Sequence, residues 1–369
     1  MFKKALVSIL CALLIVVAFV GVSLKIKDHI QTKRHTELSV KVSKDSKYAG
    51  TLKKVLAKDH FSGTAILVRN HKIVDSYSSG KKGAGNGSNS LTTSYEIDSL
   101  QKSLTAGLVM QQVKQGNLSL DDKVDNFIPG LPGASKITIR SLLDMSSGLR
   151  MKRLKFNGNY LTSKELLDVV LKKVHYIPNS KWSYQPVNYI ILSEILEKVT
   201  DKPYSQLFKD AYIKKLRLHQ SEMAYDEDKN SNRAAGYILK NDENGIEQKL
   251  QKPSKAMVIS EMGTGQVYMS APDFYKAISC LLDGTILGKR DASILYSPKY
   301  SNSPNYHSGL YYSKKPTYRY ANGYGYGFED HVRISPDGKQ AVVVFSNHQY
   351  LNNGTLKKTI DMLSKKFLS

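Results

Sequence analysis

Ser99-Leu100-Gln101-Lys102, followed about 40 residues later by Ile137-Thr138-Ile139-Arg140-Ser141-Leu142-Leu143-Asp144-Met145-Ser146-Ser147-Gly148-Leu149, is the stretch on which the fold turns. Side chains three apart on a helix share a face, so a hydroxyl and an amine meet at Ser99 and Lys102. A serine hydroxyl is a weak nucleophile until a base takes its proton, and a partly desolvated lysine can be that base. Upstream, Thr92-Thr93-Ser94-Tyr95-Glu96-Ile97-Asp98 is polar and β-prone. Downstream, Ser103 to Gln111 has helical spacing. Ser99 is therefore expected at a helix N-terminus, where its own N–H is free and the helix dipole favours negative charge on a reacting oxygen. An isolated S-x-x-K is a weak motif in a chain rich in both residues, so its flanks decide its meaning.

Those flanks are specific. Leu118-Ser119-Leu120-Asp121-Asp122-Lys123-Val124 precedes the second stretch, and the pair "L-x-L-D-D-x-V" and "I-T-I-R-x-L-L-x-x-x-S-G-L" after an S-x-x-K resembles the serine β-lactamase and penicillin-binding-protein superfamily, in its class C-like branch. The resemblance covers roughly residues 60 to 365. It implies an α+β, two-lobed fold: an antiparallel sheet built from both chain ends and flanked by helices, an inserted all-helical lobe at about 130–255, and an active site in the cleft between them. Ser99 is then the nucleophile and Lys102 its base.

The second motif of this branch, Y-x-N in a setting like "W-x-Y-S-N-x-x-Y", matches Lys181-Trp182-Ser183-Tyr184-Gln185-Pro186-Val187-Asn188-Tyr189 and implies that Tyr184 shares and returns the proton. Pro186 stands where the family has Asn. The third motif, normally K-T-G or H-T-G, is tempting at His307-Ser308-Gly309, but the family's following Gly-Phe fits Ala321-Asn322-Gly323-Tyr324-Gly325-Tyr326-Gly327-Phe328. In that frame the backbone N–H groups of Ser99 and Tyr324 form the oxyanion hole, Asn322 and Gly323 bind substrate, and Ala321 lacks the usual cation. A lost charge-assisted contact is worth about 1.5–3 kcal/mol, which disfavours substrates with a free carboxylate. D-alanyl esters have none. The chain is most similar, by these departures together, to the D-alanyl-teichoic-acid esterases of Gram-positive bacteria. The resemblance implies D-alanylated teichoic or lipoteichoic acid as the partner. A peptidoglycan DD-carboxypeptidase or penicillin-binding protein, and a catalytically inactive cell-wall binding module, are the alternatives.

The rest of the chain sets the context. Ala5 to Leu24 is a 20-residue apolar run behind Lys3 and Lys4, enough to cross a bilayer as a helix. No convincing small-x-small cleavage site follows, which favours an uncleaved signal anchor over a removed signal peptide. Residues 1–24 are thus expected as the anchor, 25–45 as a basic stalk, and 46–369 as the hydrolase domain. The expected localisation is single-pass in the cell membrane with the domain outside. The two cysteines, Cys11 in the anchor and Cys280, leave the domain without a disulfide of its own. No Cys/His cluster has zinc spacing, and neither metal nor cofactor is expected.

The net charge is +22, with ten Lys/Arg against three Asp/Glu between Lys25 and Lys58. Such charge suits a polyanion. An anchored external domain meets phosphate polymers and anionic headgroups rather than nucleic acid. A merely solvated basic surface is the other reading. Nine tyrosines between Tyr296 and Tyr326 are open to two roles, ordinary strand residues or cleft-lining rings. His175, His219, His307 and His331 are read as surface or structural.

Overall fold

Both ends of the chain supply the central sheet. Gly63–Arg69 (β1) and Lys72–Ser79 (β2) form a hairpin whose two-residue turn puts Asn70 and His71 at φ 50° and 61°, the left-handed pair that matches strand twist. From the far end come Tyr306–His307 (β3), Leu310–Lys314 (β4), Thr317–Gly325 (β5), Phe328–Ile334 (β6) and Ala341–Ser346 (β7). They assemble as a seven-stranded sheet in the order β3-β4-β5-β6-β7-β1-β2, with every neighbouring pair antiparallel. This computed structural model describes residues 47–369 except 58–60, 84–86, 157, 159, 227–231, 243–244, 316 and 352–354. The expected anchor at 1–24 and stalk at 25–45 lie outside the described residues. Among the described residues no helix is long and apolar enough to cross a membrane.

The sheet is covered on both faces, which explains why β1 and β7 read as unbroken apolar runs. Ile66, Val68, Val343 and Phe345 face the main core. Ala65, Leu67, Val342 and Val344 face a second, smaller core closed by Thr51–Leu56 (α1) and Thr355–Phe367 (α5) through Leu52, Leu56, Ile360 and Phe367. Between α1 and α5 in the chain lie Gln101–Lys114 (α2), Val187–Thr200 (α3) and Ala271–Leu282 (α4). Helix α4 starts at Ala271-Pro272-Asp273, with Pro in its first turn, and is capped by Ser270, whose hydroxyl accepts from the Asp273 N–H.

The α+β two-lobed fold is as expected, with a correction inside the inserted lobe. The segment near 130–255 is not all helical. Tyr237–Asp242 and Gly245–Leu250 form a β-hairpin that joins His348–Tyr350 in a separate three-stranded sheet, and Ser221–Met223 pairs with Val267–Ser270. The hairpin is rich in Lys, Asn, Asp, Glu and Gln, residues with poor strand propensity, and its pairing partner lies about 100 residues away. Strand β5 runs on through Asn322, Gly323 and Gly325, because registry with β6 from Arg319↔Ile334 to Gly325↔Phe328 outweighs their low strand propensity.

Candidate active site

The chain reaches Ser99 through a forced turn. Ser94–Glu96 is pinned by pairing with Val267–Ser270. Asp98 then adopts φ +44°, and Asp98–Leu100 makes a single 3₁₀ turn that runs into α2. Ser99 is therefore in the tight lead-in turn, one residue pair before the regular helix. Helix α2 is central, and from Gln101 to Met110 every residue is buried. Its polar side chains are accordingly bonded, as burial demands: Gln101 Oε1 accepts from Gln266 N–H at 2.6 Å, and Thr105 Oγ1 donates to Gly263 O at 2.8 Å. These bonds clamp the 263–266 loop onto the helix.

Lys102 completes that clamp. Its Nζ donates to Ser99 Oγ at 2.9 Å and to Thr264 O at 3.2 Å, and the side chain is 1% exposed. Burial pushes the amine down to about 8, opposed in part by the negative charges of Glu261 and Asp98. Asp98 is shifted too. Burial, reinforced by the Glu261 charge, holds its carboxyl well above the usual range, and its Oδ2 has no hydrogen-bond partner among the described residues. Glu96 beside it is raised for the same first reason.

Tyr184 comes to the site on a loop moored to the second signature stretch. Ser183 N–H donates to Met145 O, and Gln185 N–H to Met145 Sδ, each at 3.1 Å. The Ser147 hydroxyl donates to Asn188 Oδ1 at 2.5 Å. The run Ile137–Leu149 thus holds the Tyr184 loop in place. The Tyr184 ring lies 5.4 Å from Lys102 Nζ and edge-on to Tyr306 at 6.1 Å. Its hydroxyl is within reach of Ser99, and burial pushes it up to about 12. Asn188 is 1% exposed and spends its amide on Ser147 and Gln185 O, so it does not stand in for the Asn that Pro186 replaces.

A cleft of about 430 Å³ opens over these groups. Ser99, Lys102, Tyr184, Pro186, Asn322 and Tyr324 line it together with Asp98, Met151 to Leu154, Val187, Ile190, Ser260, Glu261, Thr264 and Tyr311. Strand β5 runs along it because Gly323 allows it to: a Cβ there would sit 2.8 Å from the Ile97 carbonyl oxygen and 3.0 Å from Asp98 Cβ. Pairing of β5 with β4 ends at Tyr311↔Tyr320, so the 321–325 stretch runs beyond β4 beside Ser99. Asn322 Oδ1 lies 2.7 Å from His331 Nδ1, whose Nε2 is 3.0 Å from Glu329 Oε1. The structure thus brings Ser99, Lys102, Tyr184, Asn322, Gly323 and Tyr324 together. His307-Ser308-Gly309 packs against α2 instead: a Cβ on Gly309 would meet Ser103 N at 2.4 Å, and His307 is fully buried with Nε2 3.2 Å from Ser303 O.

The tyrosines divide between the two roles. Tyr311 and Tyr324 line the cleft, and Tyr311 stacks on Tyr320 at 5.1 Å. Tyr296 is buried and bonds Ser103 O at 3.0 Å. Glu261, Thr264 and Arg153 escaped the sequence reading. They sit in loops outside the quoted motifs, Arg153 just past the end of the Ile137–Leu149 stretch, and the signal available was the Gly263-Thr264-Gly265 turn, which bends the chain close under Lys102.

A buried lysine on a serine, a tyrosine over both, and a flanking β-strand define the serine-hydrolase fold of penicillin-recognising enzymes. Residues 49–364 match the Beta-lactamase family model, and the chain belongs to that family. It is similar to PbpX of Bacillus subtilis (strain 168), a penicillin-binding protein by name, with 29% identity across 88% of this chain and 79% of that protein. Among solved structures it is similar to FmtA from Staphylococcus aureus, with TM-score 0.74 and 23% identity over 89% of each chain. It is also similar to a D-amino acid amidase from Ochrobactrum anthropi SV3, with TM-score 0.73 and 18% identity over 86% and 96% of the two chains.

Proposed function

We propose that the protein is a serine esterase that removes D-alanyl groups from teichoic or lipoteichoic acid through an acyl-enzyme on Ser99, acting outside the cell from a membrane anchor at residues 1–24. Lys102, neutral in a good fraction of molecules near pH 8, takes the Ser99 proton as Oγ attacks the ester carbonyl. The backbone N–H groups of Ser99 and Tyr324 receive the developing oxyanion. Tyr184 keeps its proton at neutral pH and passes it to the polymer oxygen as the C–O bond breaks. Water then attacks the acyl-enzyme and D-alanine leaves.

The observation that carries the substrate reading is Ala321. It is 3% exposed and stands where the family places a cation for the substrate's carboxylate. D-Ala-D-Ala peptides and β-lactams carry that carboxylate, whereas a D-alanyl ester has it tied up in the scissile bond. The surplus of positive charge suits a polyphosphate, and the fold likeness to a D-amino acid amidase is in keeping with a D-configured acyl group. The test is a parallel assay. Purified protein should release D-alanine from D-alanylated lipoteichoic acid, release little from a D-Ala-D-Ala peptide, and lose the ester activity in Ser99→Ala. Cleavage of the peptide in preference to the ester, or durable labelling of Ser99 by a fluorescent penicillin, would place it with the DD-peptidases.

A further inference from the structure

The cleft wall also carries a paired anion and cation that exchange no proton and form no bond in the acyl-transfer steps. The Arg153 guanidinium donates to Glu261 Oε1. Tyr326 Oη donates to the same carboxylate oxygen at 3.2 Å, and the guanidinium lies 5.3 Å from the Tyr326 ring centre. Glu261 is close to the reacting centre. A Cβ on Gly265 would meet Glu261 Oε2 at 2.8 Å and Asp98 Cα at 3.2 Å, so the carboxylate abuts the residue before Ser99. The Glu261 carbonyl also accepts from Thr264 N–H and Oγ1, and Thr264 O in turn accepts from Lys102. The two partners differ in depth: the Glu261 side chain is 19% exposed and the Arg153 side chain 61%. The anion therefore sits inside and the cation at the rim, next to Lys152. Asp98, the other carboxyl on the cleft wall, is 2% exposed, so Glu261 is the more accessible carboxyl for a ligand in the cleft.

We propose that Glu261 and Arg153 form a subsite that exchanges its internal ion pair for the two charges flanking a D-alanyl ester on a phosphodiester polymer: the Glu261 carboxylate takes the alanyl ammonium and the Arg153 guanidinium takes the neighbouring phosphate. The proposal rests on the esterase reading above and names how that site selects its substrate. Charge order supports it. The ammonium is on the carbon next to the attacked carbonyl, and so is carried inward beside Ser99. The phosphate belongs to the alcohol side and points toward the rim. An exposed arginine that has surrendered its carboxylate is well suited to a phosphodiester, which it can grip with parallel N–H donors. Exchange needs no change in the protein's net charge, because a zwitterionic segment replaces a zwitterionic contact.

Four small esters test it: the D-alanyl and D-lactyl esters of glycerol, and the same two esters of glycerol phosphate methyl diester. D-lactyl replaces the ammonium with a hydroxyl at nearly constant size. The wild-type enzyme should prefer D-alanyl to D-lactyl, and the phosphodiester to the neutral alcohol, in kcat/KM. Glu261→Gln should cut the first preference on the order of tenfold while leaving the second. Arg153→Gln should cut the second while leaving the first. Each readout is a ratio between substrates on one preparation, so partial loss of fold cancels. Turnover with Glu261→Gln showing an unchanged D-alanyl preference, or with Arg153→Gln showing an unchanged phosphodiester preference, overturns the subsite and leaves the esterase standing. Failure of the wild type on all four esters, while Ser99 still reacts with a fluorophosphonate, overturns the esterase reading and this inference with it.

Discussion

Lys102 is held on every side by the fold, 1% exposed and bonded to Ser99 and Thr264. Its ammonium would need water or a counter-ion, yet it is buried against Ser99 and the Thr264 carbonyl, and burial holds the nearby Asp98 carboxyl above its usual range. Its folded value near 8 is below the ordinary lysine value of 10.5, so the neutral, proton-accepting form is scarce at pH 6 and dominant at pH 9. The rate of Ser99 acylation by a neutral activated ester should therefore rise with pH, bend near 8 and level off above it, measured by stopped-flow. Lys102→Met should remove that limb and slow acylation by about 10²–10⁴. Ser99, Lys102 and Tyr184 were legible in the sequence because each sits in a short local pattern. Glu261 and Arg153 were not. They face each other across 108 residues of chain, and no periodicity or spacing records a contact between two loops.

At the scale of elements, the site depends on how closely β5 can pass the Asp98–Leu100 turn. Gly323 sets that distance, with 2.8 Å from a would-be Cβ to the Ile97 carbonyl. Backbone cannot yield there as a side-chain tip could. Gly323→Ala should cost about 1–3 kcal/mol of stability and push the Tyr324 N–H away from Ser99. In thermal unfolding and ester kinetics this should appear as a lowered Tm with kcat falling more than KM rises. The motif frame pointed to Gly323, but that it lies on a strand was not legible, since local propensity at Asn322, Gly323 and Gly325 says turn while the ladder to β6 says strand. The hairpin at 237–250 was missed for the same kind of reason: its pairing with His348–Tyr350 is long-range, and its composition is that of a solvated loop.

For the whole molecule the dominant property is charge, +22 over 369 residues. A field of that sign concentrates a polyanion at the surface and weakens with salt as the screening length shortens. With D-alanylated lipoteichoic acid, kcat/KM should fall several-fold between about 50 and 300 mM NaCl. With a small uncharged ester it should stay flat, and a parallel fall on both substrates would mean that the charge serves solubility alone. The two-lobed architecture was legible from the sequence because an antiparallel sheet drawn from both ends follows from the apolar runs of β1 and β7 once the family pattern orders them. The central claim joins this architecture to a chemistry, and intact-protein mass spectrometry tests it most directly. Protein mixed with D-alanylated lipoteichoic acid and quenched in acid within a turnover should carry one alanyl group, mapped by peptide sequencing to Ser99 and absent from Ser99→Ala. An unmodified Ser99 alongside released D-alanine, or an adduct on another residue, would contradict the account.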